Sequence, residues 1–358
     1  MENNKIDVCI IGAGVIGLAI AEKLSYYFDN IIVLEKEKTF GQHISSRNSE
    51  VIHSGFYYPS KSLKATLCVK GNQLMYDFVN KYKIRHKKCG KLIVSNDIKE
   101  LKKLEQQTIS NNVDCKVLNQ EETQMKEPQI KPHNALWIPS SGIVDSHGLM
   151  AKLEYLSIKN GVVILYNYLV NKITKNKDYY ELNIGRDETI QSKIVINAAG
   201  LWAHHISSML GLSDYDISFY KGDYYKCNSL KNLNCLVYPI PKTKSLGIHT
   251  VLSLNGDVSF GPNIYPVNKI DYTISNKYKS EYLKQIKSFL NVEDIEIYPD
   301  FSGIRPKFKF INNFNDFIIR DEKHHGCKNF INLIGIDSPG LTSSLAIAEY
   351  VLSLISKK

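Results

Sequence analysis

The sequence has 358 residues, 43% hydrophobic and 23% charged, which is material for one large or two modest domains and excludes a disordered chain. The net charge of +9 suits an anionic ligand, an acidic partner or a membrane surface. The lysines are scattered with no block of five, so no nucleic-acid partner is expected, and no apolar run reaches the roughly 18–20 residues of a membrane helix.

In chain order, residues 6–36 read as strand, helix, strand. The apolar run Val8–Ile11 meets Gly12-Ala13-Gly14-Val15-Ile16-Gly17, a helix follows, and a second strand closes on Leu34-Glu35. That is a dinucleotide-binding context, with an acidic residue 23 positions after the first glycine. Gly12 permits the tight turn, Gly14 admits a pyrophosphate, and Gly17 lets helix and strand pack. Backbone N–H groups at Val15 and Ile16 open the helix toward an anion, and Glu35 can accept from a ribose hydroxyl. The stretch Val8–Ala21 has the length of a signal-peptide core, but its three glycines and the preceding Glu2 and Asp7 argue against one.

Periodicity predicts helices over 63–82, 98–111, 119–126, 147–160, 201–210, 278–290 and 341–356. Strands are predicted at 90–94, 135–138, 162–165 and 193–197, with a hairpin of 168–173 and 179–184. Short alternating stretches from 217 to 265 predict a mainly antiparallel sheet, and strands follow at 317–320 and 330–334. The expected architecture is mixed α/β: a Rossmann-type nucleotide domain of 1–82, 140–214 and 300–358, with an inserted antiparallel domain of 83–139 and 215–299. Seven cysteines (Cys9, Cys68, Cys89, Cys115, Cys227, Cys235, Cys327) include no Cys-x-x-Cys pair. Free thiols in a reducing, cytoplasmic compartment and no metal site are expected.

Four further segments carry a resemblance: Arg47-Asn48-Ser49-Glu50-Val51-Ile52-His53-Ser54-Gly55-Phe56-Tyr57-Tyr58, Asn197-Ala198-Ala199-Gly200-Leu201-Trp202, Gly303-Ile304-Arg305-Pro306, and Gly335-Ile336-Asp337-Ser338-Pro339-Gly340-Leu341-Thr342. With Cys89-Gly90-Lys91-Leu92-Ile93-Val94 and Lys221-Gly222-Asp223-Tyr224-Tyr225, the chain resembles the D-amino-acid-oxidase superfamily of FAD-dependent oxidoreductases. Within it, the chain is similar to the L-2-hydroxyglutarate dehydrogenase/oxidase family. Glu50 departs from that pattern, where glycine is common.

The resemblance implies non-covalent FAD and hydride transfer from a dicarboxylate, L-2-hydroxyglutarate, to flavin N5, giving 2-oxoglutarate, a metabolite-repair role. Amino-acid oxidation and glycerol 3-phosphate oxidation are the alternatives. It also implies cofactor contacts from Lys36, Ser46, Arg47, Asn48, Ser49, Val170, Ala199, Gly200, Trp202, Gly303, Gly335, Pro339, Gly340, Leu341 and Thr342. Arg305 matches the arginine that binds the substrate carboxylate in superfamily amino-acid oxidases, a role suited to its bidentate fork. His53 and His249 are the candidate bases, and the sequence does not choose between them. Tyr57, Tyr58, Lys221, Tyr224 and Tyr238 are candidates for the far carboxylate. Electrons would pass to a quinone or to oxygen, and the positive charge leaves open peripheral contact with the inner face of a membrane.

Overall fold

The computed structural model describes residues 6–186, 188–240, 247–308 and 314–355. The first strand, β1 (Ile6–Ile11), leads through the glycine turn into helix α1 (Val15–Leu24) and then into β2 (Ile31–Glu35). β1 and β2 pair in parallel, Val8 opposite Ile31 and Ile11 opposite Leu34. On its other side β1 pairs in parallel with the strand Glu188–Asn197, which in turn pairs with Cys327–Ile334. Parallel strands covered on both faces read as continuous apolar runs, and all five residues of β2 are buried. The hairpin of Val170–Lys175 and Tyr180–Ile184 extends this eight-stranded sheet, and Val163–Tyr166 flanks β2.

α1 is apolar nearly all round, with seven of its ten residues buried, so it must be covered on more than one side. Helices Ser146–Lys159 and Gly340–Ile355 cover it. These elements belong to a first compact unit of residues 1–46, 146–218 and 305–358.

The second unit takes residues 47–145 and 219–304. It contains a four-stranded sheet in the order Leu236–Pro239, Lys91–Ser95, Asn134–Ile138, Lys116–Leu118, in which only the first pair is parallel. An antiparallel sheet runs His249–Leu252, Asp257–Gly261, Ile217–Lys231, Tyr265–Val267. A three-stranded sheet joins Val51–Ile52, Gly142–Val144 and His86–Lys87. The expected α/β class with a mainly antiparallel second part is what the fold contains.

Several particulars differ from the sequence expectation. Residues 47–82, assigned to the nucleotide domain, lie in the second unit. The helix Leu63–Lys81 is tied there by Asn72, which donates to the carbonyls of His53 and Ser140, each at 2.9 Å. Ile297–Phe308 is a twelve-residue strand that no alternation announces. Pro299, Gly303 and Pro306 interrupt its pattern, and prolines are tolerated because it flanks Ile217–Lys231 off the main strand path. The helix predicted over 201–210 is a 3-10 turn, Gly200–Trp202, followed by the short helix Ala203–Ser208. Position 356, the predicted end of the last helix, lies outside the described residues; the helix described is Gly340–Ile355. No helix among the described residues is long and apolar enough to cross a membrane.

Candidate active site

The turn between β1 and α1 is packed against backbone. Gly12 has φ +106°, and a Cβ there would stand 2.6 Å from the Ala198 carbonyl oxygen. A Cβ on Gly17 would stand 1.9 Å from the Gly12 carbonyl oxygen. Glycine is therefore the residue that fits at both. No residue of α1 caps its own N-terminus; the Ser45 hydroxyl accepts the Val15 N–H at 3.0 Å instead. The neighbouring Ser46 hydroxyl donates to the His43 carbonyl at 3.3 Å, and the sequence did not announce the part played by Ser45. At the end of β2 the buried Glu35 carboxylate accepts from the Ala13 N–H at 2.8 Å and the Glu37 N–H at 2.9 Å. Each oxygen retains acceptor capacity after these bonds.

Lys36 and Trp202, distant in sequence, meet here: the ammonium lies 3.2 Å over the indole ring. His43 contacts the same ring edge-on at 4.6 Å and reaches Glu37 at 2.9 Å, holding that carboxyl below its ordinary range. Gly200 has φ +56° and faces the Ile44 side chain. Val170 opens its strand opposite Ile184 and is buried. In the segment from Gly335 to Thr342, the Gly340 N–H donates to the Asp337 carbonyl at 2.6 Å, and the helix starts at Gly340, one residue before the predicted 341. Ala199, Pro339 and Leu341 lie in these two turns.

The second unit holds the histidines. The loop bearing His53 is fixed by Asn72 and by Asn111, whose amide donates to the carbonyls of Gly55 at 3.0 Å and Tyr58 at 2.9 Å. The sequence reading named neither asparagine. His53 is partly exposed yet densely surrounded. Desolvation first, then the charges of Lys91 and His249, hold its pKa well below 6.5, so the ring is neutral at pH 7. His249 is buried, and its Nδ1–H donates to the Gly247 carbonyl at 2.8 Å. Its ring stacks on Tyr238 with centroids 3.7 Å apart.

Other expected contacts are occupied locally. The Arg47 guanidinium lies 3.9 Å over the Tyr272 ring, and a Cβ on Gly303 would stand 2.5 Å from the Arg47 carbonyl oxygen. Asn48 accepts the Glu50 N–H at 2.7 Å, and Ser49 sits inside that turn. Glu50 has φ +53°, the left-handed region that favours glycine, so its departure from the resembled pattern carries backbone strain. Lys221 is buried, and its ammonium donates to the Thr273 carbonyl. Tyr224 stacks on Phe301 at 4.2 Å. Tyr57 is partly exposed. Arg305 begins the last segment of the first unit, whereas His53 and His249 belong to the second.

A sequence model described as FAD dependent oxidoreductase matches residues 7–354. The chain belongs to that family. It is 34% identical to the mitochondrial L-2-hydroxyglutarate dehydrogenase of Arabidopsis thaliana, over 98% of this chain and 83% of that one. It is 28% identical to an L-2-hydroxyglutarate dehydrogenase of Escherichia coli, over 98% and 93%. Among solved structures it is similar to the dithionite-reduced L-alpha-glycerophosphate oxidase of Mycoplasma pneumoniae with FAD bound: TM-score 0.85, 28% identity, 99% and 96% covered.

The cofactor of this FAD dependent oxidoreductase is FAD, and the cradle fits it. The glycine turn leaves no room for side chains, α1 opens with no acidic residue, and Glu35 has spare acceptor capacity. Acid precipitation is expected to release the yellow colour into the supernatant, because six of the seven cysteines are buried and the seventh, Cys115, is held protonated by desolvation. Colour retained in the pellet would contradict non-covalent binding. Among the described residues no group of three His, Cys, Asp or Glu side chains is placed to hold a metal.

Proposed function

We propose that this FAD dependent oxidoreductase converts L-2-hydroxyglutarate to 2-oxoglutarate. What supports this is likeness: the chain is 34% identical over 98% of its length to a relative of that name, and it has the two candidate bases His53 and His249 in one unit. When bound, FAD supplies the two-electron oxidant for the C2 hydride. The chain's residues must accept a proton and hold two carboxylates. His53 takes the hydroxyl proton: it is neutral at working pH and retains solvent access. His249, buried and fixed by Gly247 and Tyr238, orients the hydroxyl through Nε2. Arg305 binds the carboxylate beside C2. For the far carboxylate Tyr57 is the better anchor, since Lys221 and Tyr224 are buried and engaged elsewhere.

Anaerobic mixing with L-2-hydroxyglutarate, glycerol 3-phosphate and amino acids in turn, while following oxidised flavin absorbance, tests the substrate. Rapid bleaching by the hydroxy diacid alone is expected; bleaching by glycerol 3-phosphate alone would overturn the reading.

Arg305→Lys keeps the charge but loses the fork. A loss of about 2 kcal/mol or more in kcat/KM is expected. Near-normal kinetics would remove Arg305 from the site.

We also propose that electrons pass to a quinone, with the basic protein resting on an anionic membrane face in the cytoplasm. The net charge of +9 supports this, at ~1 kcal/mol per suitably placed basic residue. Sedimentation with anionic vesicles should occur at low salt and fade at high salt. Absence of binding at low salt, with fast oxygen turnover, would favour an oxidase.

A further inference from the structure

The first unit contains a chain of buried polar side chains that takes no part in the proton transfer proposed above. Asn197 ends the strand Glu188–Asn197, and its register partner on Cys327–Ile334 is Asn332. Both are 0% exposed, as is Ser207, and Glu322 is 1% exposed. Strands at the centre of a parallel sheet are ordinarily apolar, and a polar group is tolerated there only when it is paired.

The Glu322 carboxylate is the outer end of the chain. It accepts from the Tyr215 hydroxyl and, at 3.0 Å, from the Asn332 amide. Its other oxygen meets His325 Nδ1 at 2.7 Å and Arg320 Nε at 3.4 Å, and both of those side chains reach solvent. Burial opposes its charge, but the bonds from Tyr215, Asn332 and His325 hold the carboxyl below its ordinary range, so it is ionised and only accepts. Such a group turns the amino end of the Asn332 amide toward itself. The Asn332 oxygen then accepts from the Asn197 amide at 2.8 Å and from the Ser207 hydroxyl at 3.0 Å. The same Asn197 amide donates to the Ala203 carbonyl at 2.7 Å, and its oxygen accepts the Ala199 N–H at 3.3 Å. Donor follows acceptor without a break from Glu322 to the backbone of Ala199, and bonds in such a chain strengthen one another.

The chain ends where the nucleotide cradle begins. Ala198 donates its N–H to the Ile11 carbonyl at 3.0 Å, and its own carbonyl oxygen would stand 2.6 Å from a Cβ on Gly12. On the other side of Ala199, the Trp202 N–H donates to the Ala199 carbonyl at 3.0 Å, and the Trp202 ring meets Lys36 and His43. Apolar side chains of like volume often leave a core as stable as a polar set does, but they offer no hold on the Ala199 N–H. We propose that Asn332 and Glu322 are positioning residues for FAD: acting through Asn197, they set the Ala199–Trp202 turn against the glycine turn. The inference rests on FAD lying along that turn.

Two measurements on the full chain separate the claims. The first is the rate of FAD release from diluted holoenzyme, followed by the rise of free-flavin fluorescence. Asn332→Leu keeps the volume and cuts the chain, so release about tenfold faster is expected, the scale of one lost buried hydrogen bond. Glu322→Gln removes the charge but keeps an oxygen that can accept, so a smaller increase is expected. Leu182→Ala, at a 0% exposed position of the strand Tyr180–Ile184, is the control for lost stability. Its Tm should fall while release stays as in the wild type. The second measurement needs no cofactor. The sequence has two tryptophans, so in a Trp137→Phe background the emission of the apoprotein comes from Trp202 alone. A loosened turn frees the indole from Lys36, so Asn332→Leu should shift the emission to the red and Leu182→Ala should not. If Asn332→Leu fails to fold, Glu322→Gln carries both measurements. Emission that stays in place overturns the proposal, whatever the release rate. Shifted emission with unchanged release overturns instead the placement of FAD along the turn.

Discussion

His53→Asn is expected to slow flavin reduction about 10²–10⁴-fold, or ~3–5 kcal/mol of barrier, while FAD stays bound. Asparagine keeps a polar group of similar size but has no basic nitrogen. FAD retention is expected because the glycine turn and Glu35 belong to the first unit and are untouched by a change at His53 in the second. The pH dependence is the sharper readout. His53 titrates well below 6.5, so the wild-type rate should be level across neutral pH and fall only in acid. In the variant that acid limb disappears. His249→Asn should mainly raise KM, since it loses the Nε2 contact while the surrounding stack on Tyr238 stays filled. If His249→Asn shows the large rate loss and His53→Asn does not, the two roles are reversed.

Gly17→Ala is expected to abolish FAD retention and to destabilise the protein by about 3 kcal/mol or more, the upper range for overpacking. The added methyl, fixed to its Cα, would stand 1.9 Å from the Gly12 carbonyl oxygen, a backbone atom that cannot swing aside. Gel filtration should give colourless protein with a lowered melting temperature. Gly14→Ala is the contrast. Its φ is −74°, ordinary for any residue, and its methyl would meet only the Ser45 hydroxyl, at 2.9 Å. That side chain can rotate away, so the stability loss should be smaller. Equal losses in both variants would mean that close packing of backbone is not what glycine supplies at position 17.

Much of the first unit was legible because its signals are periodic and local. β1, the glycine turn, α1 and β2 each announce themselves within a few residues, and Glu35 lies where a ribose anchor is expected. Irregular segments were read less well. In the loop after β2 nothing repeats, so the capping of α1 by Ser45 had no pattern to announce it. Residues 47–82 were placed with the nucleotide domain by sequence proximity, but Asn72 and Asn111 bind that stretch to the second unit through carbonyls that a sequence does not display. Lys91 was visible only as one letter of a motif. Its burial without a hydrogen-bond partner among the described residues is a property of three neighbouring strands together. The meeting of Lys36 with Trp202 has the same character.

The covering of α1 by Gly340–Ile355 also governs when this protein can become a flavoenzyme. Lys23 on α1 and Glu349 on the last helix form an ion pair across 326 positions of chain. The strand Cys327–Ile334, which completes the pairing of Glu188–Asn197, is made just before that helix. On the ribosome α1 is therefore synthesised well before its cover and must wait, its apolar faces open, until residues 340–355 have emerged. Such distant contacts make folding slow and leave a sticky helix for chaperones to shelter. Nucleotide binding at the glycine turn is therefore expected only once residues 327–355 have been made and packed.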